Sequence, residues 1–143
     1  MKKTDSVRLE MPALSVNEGF ARVFASAFAA RLDPTLEELA DIRTAVSEAV
    51  TNAIVHAYPD GVGTVVLMAR VKGERLLEYT VKDRGKGIED IPQAMTPMFT
   101  TGGEERSGLG FTIMESFTDS LKVISAPGKG TTVRFVKKIA PRL

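Results

Sequence analysis

The run from Asp33-Pro34 to Tyr58-Pro59-Asp60-Gly61 constrains this chain more than any other segment. Asp33 reads as an N-cap and Pro34 as the first helical residue, a pairing that favours a helix start at that point. Leu36, Leu39, Ile42, Val46, Val50 and Ile54 then recur at helical spacing, which predicts one long amphipathic helix ending before Tyr58. Three polar side chains interrupt its otherwise apolar second half: Glu48, Asn52 and His56, each four residues from the next. Successive helical residues turn by about 100°, so each such step drifts only about 40° and the three share one face. Ala45, Ala49 and Ala53 flank Glu48, and their small size leaves room for something beside the helix.

The remaining segments supply a sheet for this helix to cover. Residues 6–11 alternate, with Val7, Leu9 and Met11 against Arg8 and Glu10, the pattern of a half-buried strand. From 15 to 32 the period becomes helical, and Phe20, Val23, Phe24, Ala27 and Phe28 read as the apolar stripe. Two strands, roughly 63–71 and 75–82, form a hairpin through Lys72-Gly73-Glu74. Residues 84–107 carry glycines, prolines and threonines and read as a long connection with at most one short helix near 91–95, a lid or binding loop. A third helix fits 108–118, and 120–138 reads as a strand pair turning at Pro127-Gly128-Lys129-Gly130. Five strands and three principal helices in this order predict an α+β two-layer sandwich: a mixed, largely antiparallel sheet with its helices on one face. No repeat, linker or low-complexity tract divides the 143 residues, so a single domain is expected.

Composition limits the function classes. Nineteen Lys and Arg against eighteen acidic residues give a net charge of +1, which makes no case for direct nucleic-acid binding or an anionic membrane. With no cysteine, disulfides and thiolate metal sites are excluded, and a single histidine rules out a multi-histidine centre. The start, MKKTDSVRLEMP, lacks the apolar run of a signal peptide, so a cytoplasmic location is expected.

Chemistry concentrates in three places. A helix-borne Glu48 can act as a general base towards a hydroxyl, and the amide oxygen of Asn52 can take one position on Mg²⁺. The bland readings are a glutamate on a solvated face and a buried asparagine satisfied by nearby backbone, while His56 suits a structural or supporting role. Asp83-x-Gly85-x-Gly87 follows a strand: the carboxylate can accept from an exocyclic amine such as adenine N6, and the glycines let a flat base lie against backbone. A plain Asp/Gly turn is the alternative. Gly108-Leu109-Gly110 opens a helix, where free N–H groups and the helix dipole favour phosphate. The preceding Phe99-Thr100-Thr101 to Arg106-Ser107 adds hydroxyls and a guanidinium that could hold a terminal phosphate; Arg106 is equally compatible with an exposed loop arginine. GxxxxGK[ST], a complete GxGxxG and a nucleophile elbow are all absent.

These residues, in this order, resemble the N, G1 and G2 boxes of the GHKL ATPase/kinase superfamily, whose ATP site is the Bergerat fold, over about residues 35–138. The resemblance implies Glu48 as catalytic base, Asn52 as Mg²⁺ ligand and Asp83 as the adenine-binding carboxylate. It also implies Gly85, Gly87, Gly108 and Gly110 as pocket glycines, and Thr131 as the threonine that helps hold adenine. Thr100, Thr101, Arg106, Ser107 and Leu109 join the nucleotide-contacting set. No transducer domain or separate phosphoacceptor helix is evident, which points to the single-domain anti-sigma serine-kinase branch. Ala13 to Val23, Phe99-Thr-Thr and Arg106 to Glu115 are similar to sporulation members of that branch almost end to end, with the glycine-rich Gly102-Gly103-Glu104-Glu105 as one departure. Such a protein binds ATP or ADP with Mg²⁺, phosphorylates a serine of an anti-anti-sigma factor, inhibits a sigma factor and forms a homodimer. Asn17, Glu18 and Arg22, on a polar strip of the first helix, become the expected partner-docking residues. Ala21, Ala25 and Ala29 read as a small-residue path for another helix or subunit. A pure binding module and a water-hydrolysing ATPase are the rival functions.

Overall fold

The computed structural model describes residues 5–58, 61–87 and 109–141, with Leu109 as backbone only. In chain order the elements are β1 (Ser6–Pro12), α1 (Val16–Ala29), a 3₁₀ turn (Ala30–Leu32), α2 (Leu36–His56), β2 (Thr64–Lys72), β3 (Leu76–Asp83), α3 (Leu109–Ser116), β4 (Ser120–Ser125) and β5 (Thr131–Lys138). The strands form one five-stranded sheet in the order β1-β2-β3-β5-β4. Among the described residues every pairing is antiparallel, so this sheet shows none of the parallel component that a mixed sheet would have. The predicted short helix near 91–95 lies outside the described residues.

Alternation along the strands sorts the two faces. Val65, Leu67 and Ala69 on β2, Leu77, Tyr79 and Val81 on β3, and Val133 and Phe135 on β5 point into the core under the helices. The opposite face carries Arg8, Arg70, Lys82, Lys122 and Arg134 around Glu78, whose carboxylate accepts from Arg70 Nε at 2.7 Å. This is the one-sided solvation typical of antiparallel sheets. In the core, the rings of Tyr79 and Phe135 stack at 5.3 Å between centroids. The Tyr79 hydroxyl donates to the Ala25 carbonyl at 2.7 Å, and burial pushes its pKa up. A phenol hydrogen-bonded there ties the middle of the sheet to α1.

Two helix details differ from the sequence reading. The N-cap of α2 is Thr35, not Asp33: Thr35 Oγ1 accepts from Glu38 N–H at 3.0 Å, and Glu38 Oε1 accepts from Thr35 N–H at 2.8 Å. This reciprocal box satisfies two end groups, where Asp33 as a cap would satisfy one. Asp33 instead closes the 3₁₀ turn at φ +51°.

The buried face of α1 is also rotated by about one residue, about 100°, from the phenylalanine stripe. Ala21, Ala25, Phe28 and Ala29 are buried, whereas Phe20 and Val23 are 54% and 65% exposed. The alanine path therefore serves packing within this chain, and it is not left open for another subunit. Ala45, Ala49 and Ala53 behave in the same way: all three are buried in the core cluster, so they seat α2 rather than leave space beside Glu48. Alanines on both helices allow α1 and α2 to pack closely against each other and the sheet. Leu36, counted in the apolar stripe of α2, is 86% exposed. No helix among the described residues is long and apolar enough to cross a membrane.

The rotated face yields opposite expectations at neighbouring positions. Ala25→Leu should destabilise the fold by about 1–3 kcal/mol through overpacking, while Phe20→Gln should cost no more than about 0.5 kcal/mol. Urea unfolding of both variants checks this; equal losses would place the phenylalanine face inside.

Candidate nucleotide site

Glu48 and Asn52 lie half-buried on α2, one turn apart, beneath the start of α3. Gly110 makes that approach possible. A β-carbon at Gly110 would lie 3.2 Å from Glu48 Oε2, 3.3 Å from Asn52 Nδ2 and 3.4 Å from Asn52 Oδ1. Any side chain there would press on both polar groups, so glycine keeps the first turn of α3 next to the acid and the amide. Phe111, the next residue, and Met114, one turn beyond Gly110, are buried and anchor this helix in the core. The third cluster of the sequence therefore meets the first in space.

His56 sits in the last turn of α2, eight residues beyond Glu48, a separation of about 12 Å along the axis.

Asp83 is the last residue of β3 and is 7% exposed. Its Oδ1 accepts from Gly85 N–H at 2.9 Å and from Thr131 N–H at 3.2 Å. The register pairs Asp83 with Thr131, the first residue of β5, so the ends of two adjacent strands converge on one carboxylate oxygen. Desolvation raises the Asp83 pKa, and the two backbone donors oppose that rise. A buried carboxylate held through one oxygen is suited to receive an amine donor on the other.

Gly85 and Gly87 act through the backbone. Gly87 has φ +77°, and a β-carbon there would run into the Ala126 carbonyl; one at Gly85 would run into the Ala57 carbonyl. Lys86 N–H donates to Ala57 O at 2.8 Å, and Gly128 N–H donates to Lys86 O at 2.6 Å. The turn after Asp83 is thus wedged between the end of α2 and the β4–β5 turn. Sequence reasoning missed Ser125, whose hydroxyl lies 2.7 Å from Thr131 Oγ1 and donates to Gly130 O at 2.9 Å. No local pattern marks that serine; its role depends on strand pairing.

Thr100, Thr101, Arg106, Ser107 and Gly108 lie outside the described residues, as does the side chain of Leu109. Asn17, Glu18 and Arg22 belong to the surface of α1. Asn17 Nδ2 donates to Pro12 O at 2.8 Å, and Arg22, exposed, pairs with Glu18 at 2.6 Å. Among the described residues no group of three or more His, Cys, Asp and Glu side chains could hold a metal. One amide oxygen from Asn52 nevertheless fits Mg²⁺, which takes few protein ligands and completes its shell with phosphates and water.

Comparison with known proteins identifies the family and the fold. Residues 11–137 match the family model of the Histidine kinase-like ATPase domain. The crystal structure of the RsbU and RsbW domains of a Mycobacterium tuberculosis protein superposes with TM-score 0.69 at 20% identity, covering 95% of this chain and 32% of that longer one, and so shares the fold. The fold and the matched residues define a kinase-type ATPase domain.

Curated relatives narrow the class. The Anti-sigma F factor of Thermoanaerobacter sp. (strain X514) is 53% identical over 140 residues, 97% of each chain. That of Shouchella clausii (strain KSM-K16) is 55% identical over 136 residues, 94% of this chain and 92% of the relative. The chain therefore belongs to the Histidine kinase-like ATPase domain family and, within it, to the anti-sigma F factors.

The buried Asp83 gives a prediction with a definite sign. Because its folded pKa is raised, the native state holds its proton more tightly than the unfolded chain. The nucleotide-free protein should therefore lose stability as pH rises from the ordinary carboxylate pKa through the folded one. Asp83→Asn keeps an oxygen for Gly85 and Thr131 and removes the buried charge. Its nucleotide-free melting temperature at pH 7 should equal or exceed that of the parent, while ADP affinity falls. A clear drop in melting temperature would contradict this account of Asp83.

Proposed function

We propose that this chain is an anti-sigma factor that binds and inhibits a sporulation sigma factor and uses Mg-ATP to phosphorylate a serine of its anti-anti-sigma factor. The observation that carries the reading is the approach of Gly110 to Glu48 and Asn52, which brings the acid, the amide and a helix N-terminus to one place. The relatives' name, Anti-sigma F factor, supports the sigma-factor half.

In the mechanism, Asp83 accepts from the exocyclic amine of adenine, with Thr131 beside it and Gly85 and Gly87 shaping the turn. Backbone N–H groups of Gly108, Leu109 and Gly110 hold phosphate oxygens, helped by Thr100, Thr101, Ser107 and the charge of Arg106. Asn52 would hold Mg²⁺, which when bound would neutralise phosphate charge. Glu48 orients the incoming serine hydroxyl and takes its proton as the new bond from serine oxygen to phosphorus forms. The bond from phosphorus to the ADP oxygen breaks, and ADP leaves with the electron pair. Positioning and electrostatics supply most of the acceleration in such transfers.

Asn17, Glu18 and Arg22 form the proposed docking strip for both protein partners, which would then compete for α1. Homodimer formation is part of the reading, and the exposed apolar row Val16, Phe20 and Val23 on α1 is available to it. The working location is the cytoplasm, where a sigma factor acts.

Glu48→Gln tests the chemistry. ATP affinity should stay within about twofold, while single-turnover phosphate transfer to the anti-anti-sigma factor falls by about 10²–10⁴-fold. Transfer at the parental rate would reject Glu48 as the base.

A further inference from the structure

The β2–β3 ladder ends at the pair Val65↔Asp83, one residue before the hairpin's open end. Continuing the register, the next pair would be Thr64 with Arg84, closed by Arg84 N–H donating to Thr64 O. That rung is not made directly. Arg84 N–H donates instead to the hydroxyl of Tyr58 at 2.8 Å, and the same hydroxyl donates to Thr64 O at 2.7 Å. One phenolic oxygen is therefore inserted between two strands at the residue following Asp83. The ring that carries it lies over Gly63, where a β-carbon would run into the aromatic carbons. Its backbone follows directly on Ala57, whose carbonyl accepts from Lys86 N–H. Tyr58 thus holds the start of the turn that leaves Asp83, and the adjoining Ala57 carbonyl holds that turn at Lys86.

Insertion of an oxygen holds the two strands further apart than a direct hydrogen bond would. The separation sets the direction in which Arg84 to Gly87 departs, and Gly85 N–H from that turn fixes Asp83 Oδ1. We propose that Tyr58 is a positioning residue for adenine recognition: its hydroxyl, a bridging rung between Thr64 and Arg84, aims the Asp83 carboxylate at the base. The inference rests on the reading of Asp83 as the adenine acceptor. Tyr58 touches no substrate in this scheme and acts through Asp83 alone.

Tyr58→Phe keeps the ring over Gly63 and removes the bridge. In calorimetric titrations of the full chain with ADP, Tyr58→Phe should weaken Kd by about tenfold, the loss of a net hydrogen-bond's worth of alignment, with stoichiometry intact. The decisive measurement is the double-mutant cycle with Asp83→Asn. Because the hydroxyl acts through the carboxylate, adding Tyr58→Phe to Asp83→Asn should change Kd by less than about twofold. An unchanged Kd in Tyr58→Phe alone, or losses that multiply in the double variant, overturns the proposal. A fall in stoichiometry and melting temperature with Kd unchanged shows a merely structural tyrosine and overturns it too. Asp83→Asn that binds ADP like the parent removes the adenine reading itself, a failure separate from that of the bridge.

Discussion

Burial of the Asp83 carboxylate at the meeting of β3 and β5 is the constraint on which the proposed site depends. A charge in that position is disfavoured unless donors reach it, and Gly85 and Thr131 provide two, both to Oδ1. Those donors tie the register of the central strands to the path of the following turn. Wedging of that turn between Ala57 and Gly128 then links it to the end of α2, the helix that carries Glu48 and Asn52. Sheet end, turn and helix are consequently tied into one corner. A buried carboxylate with a raised pKa is a pattern more common at binding sites than in cores, and the proposed adenine amine would complete its hydrogen bonding.

Much of this corner was legible before any coordinates. The spacing of Glu48 and Asn52 put them on one helical face, glycine turns placed the hairpins within a residue or two, and Asp83 fell at a strand end as its pattern suggested. Boxes in a familiar order then gave the family. Local signals sufficed there because each depends on spacing within one element.

Other features depend on contacts between elements, and there the sequence was ambiguous. On α1, phenylalanines and alanines form two overlapping apolar arcs, and periodicity does not tell which is buried. Close packing against α2 selected the alanines and left Phe20 and Val23 outside. Asp33 and Thr35 are both good cap residues two positions apart; the partner Glu38 decided for Thr35. Tyr58 read only as part of a turn, since its hydroxyl bonds residues 6 and 26 positions away. The alanines around Glu48 show the same limit: their small size reflects core packing, and it is Gly110 on another helix that lets backbone come close to Glu48 and Asn52.

The most direct measurement is a crystal structure of this chain with Mg²⁺ and a non-hydrolysable ATP analogue. The account predicts the adenine amine on the Asp83 carboxylate, Mg²⁺ on the Asn52 amide oxygen and the terminal phosphate facing Glu48 beneath the start of α3. A nucleotide seated away from Asp83, or a terminal phosphate turned from Glu48, would contradict it.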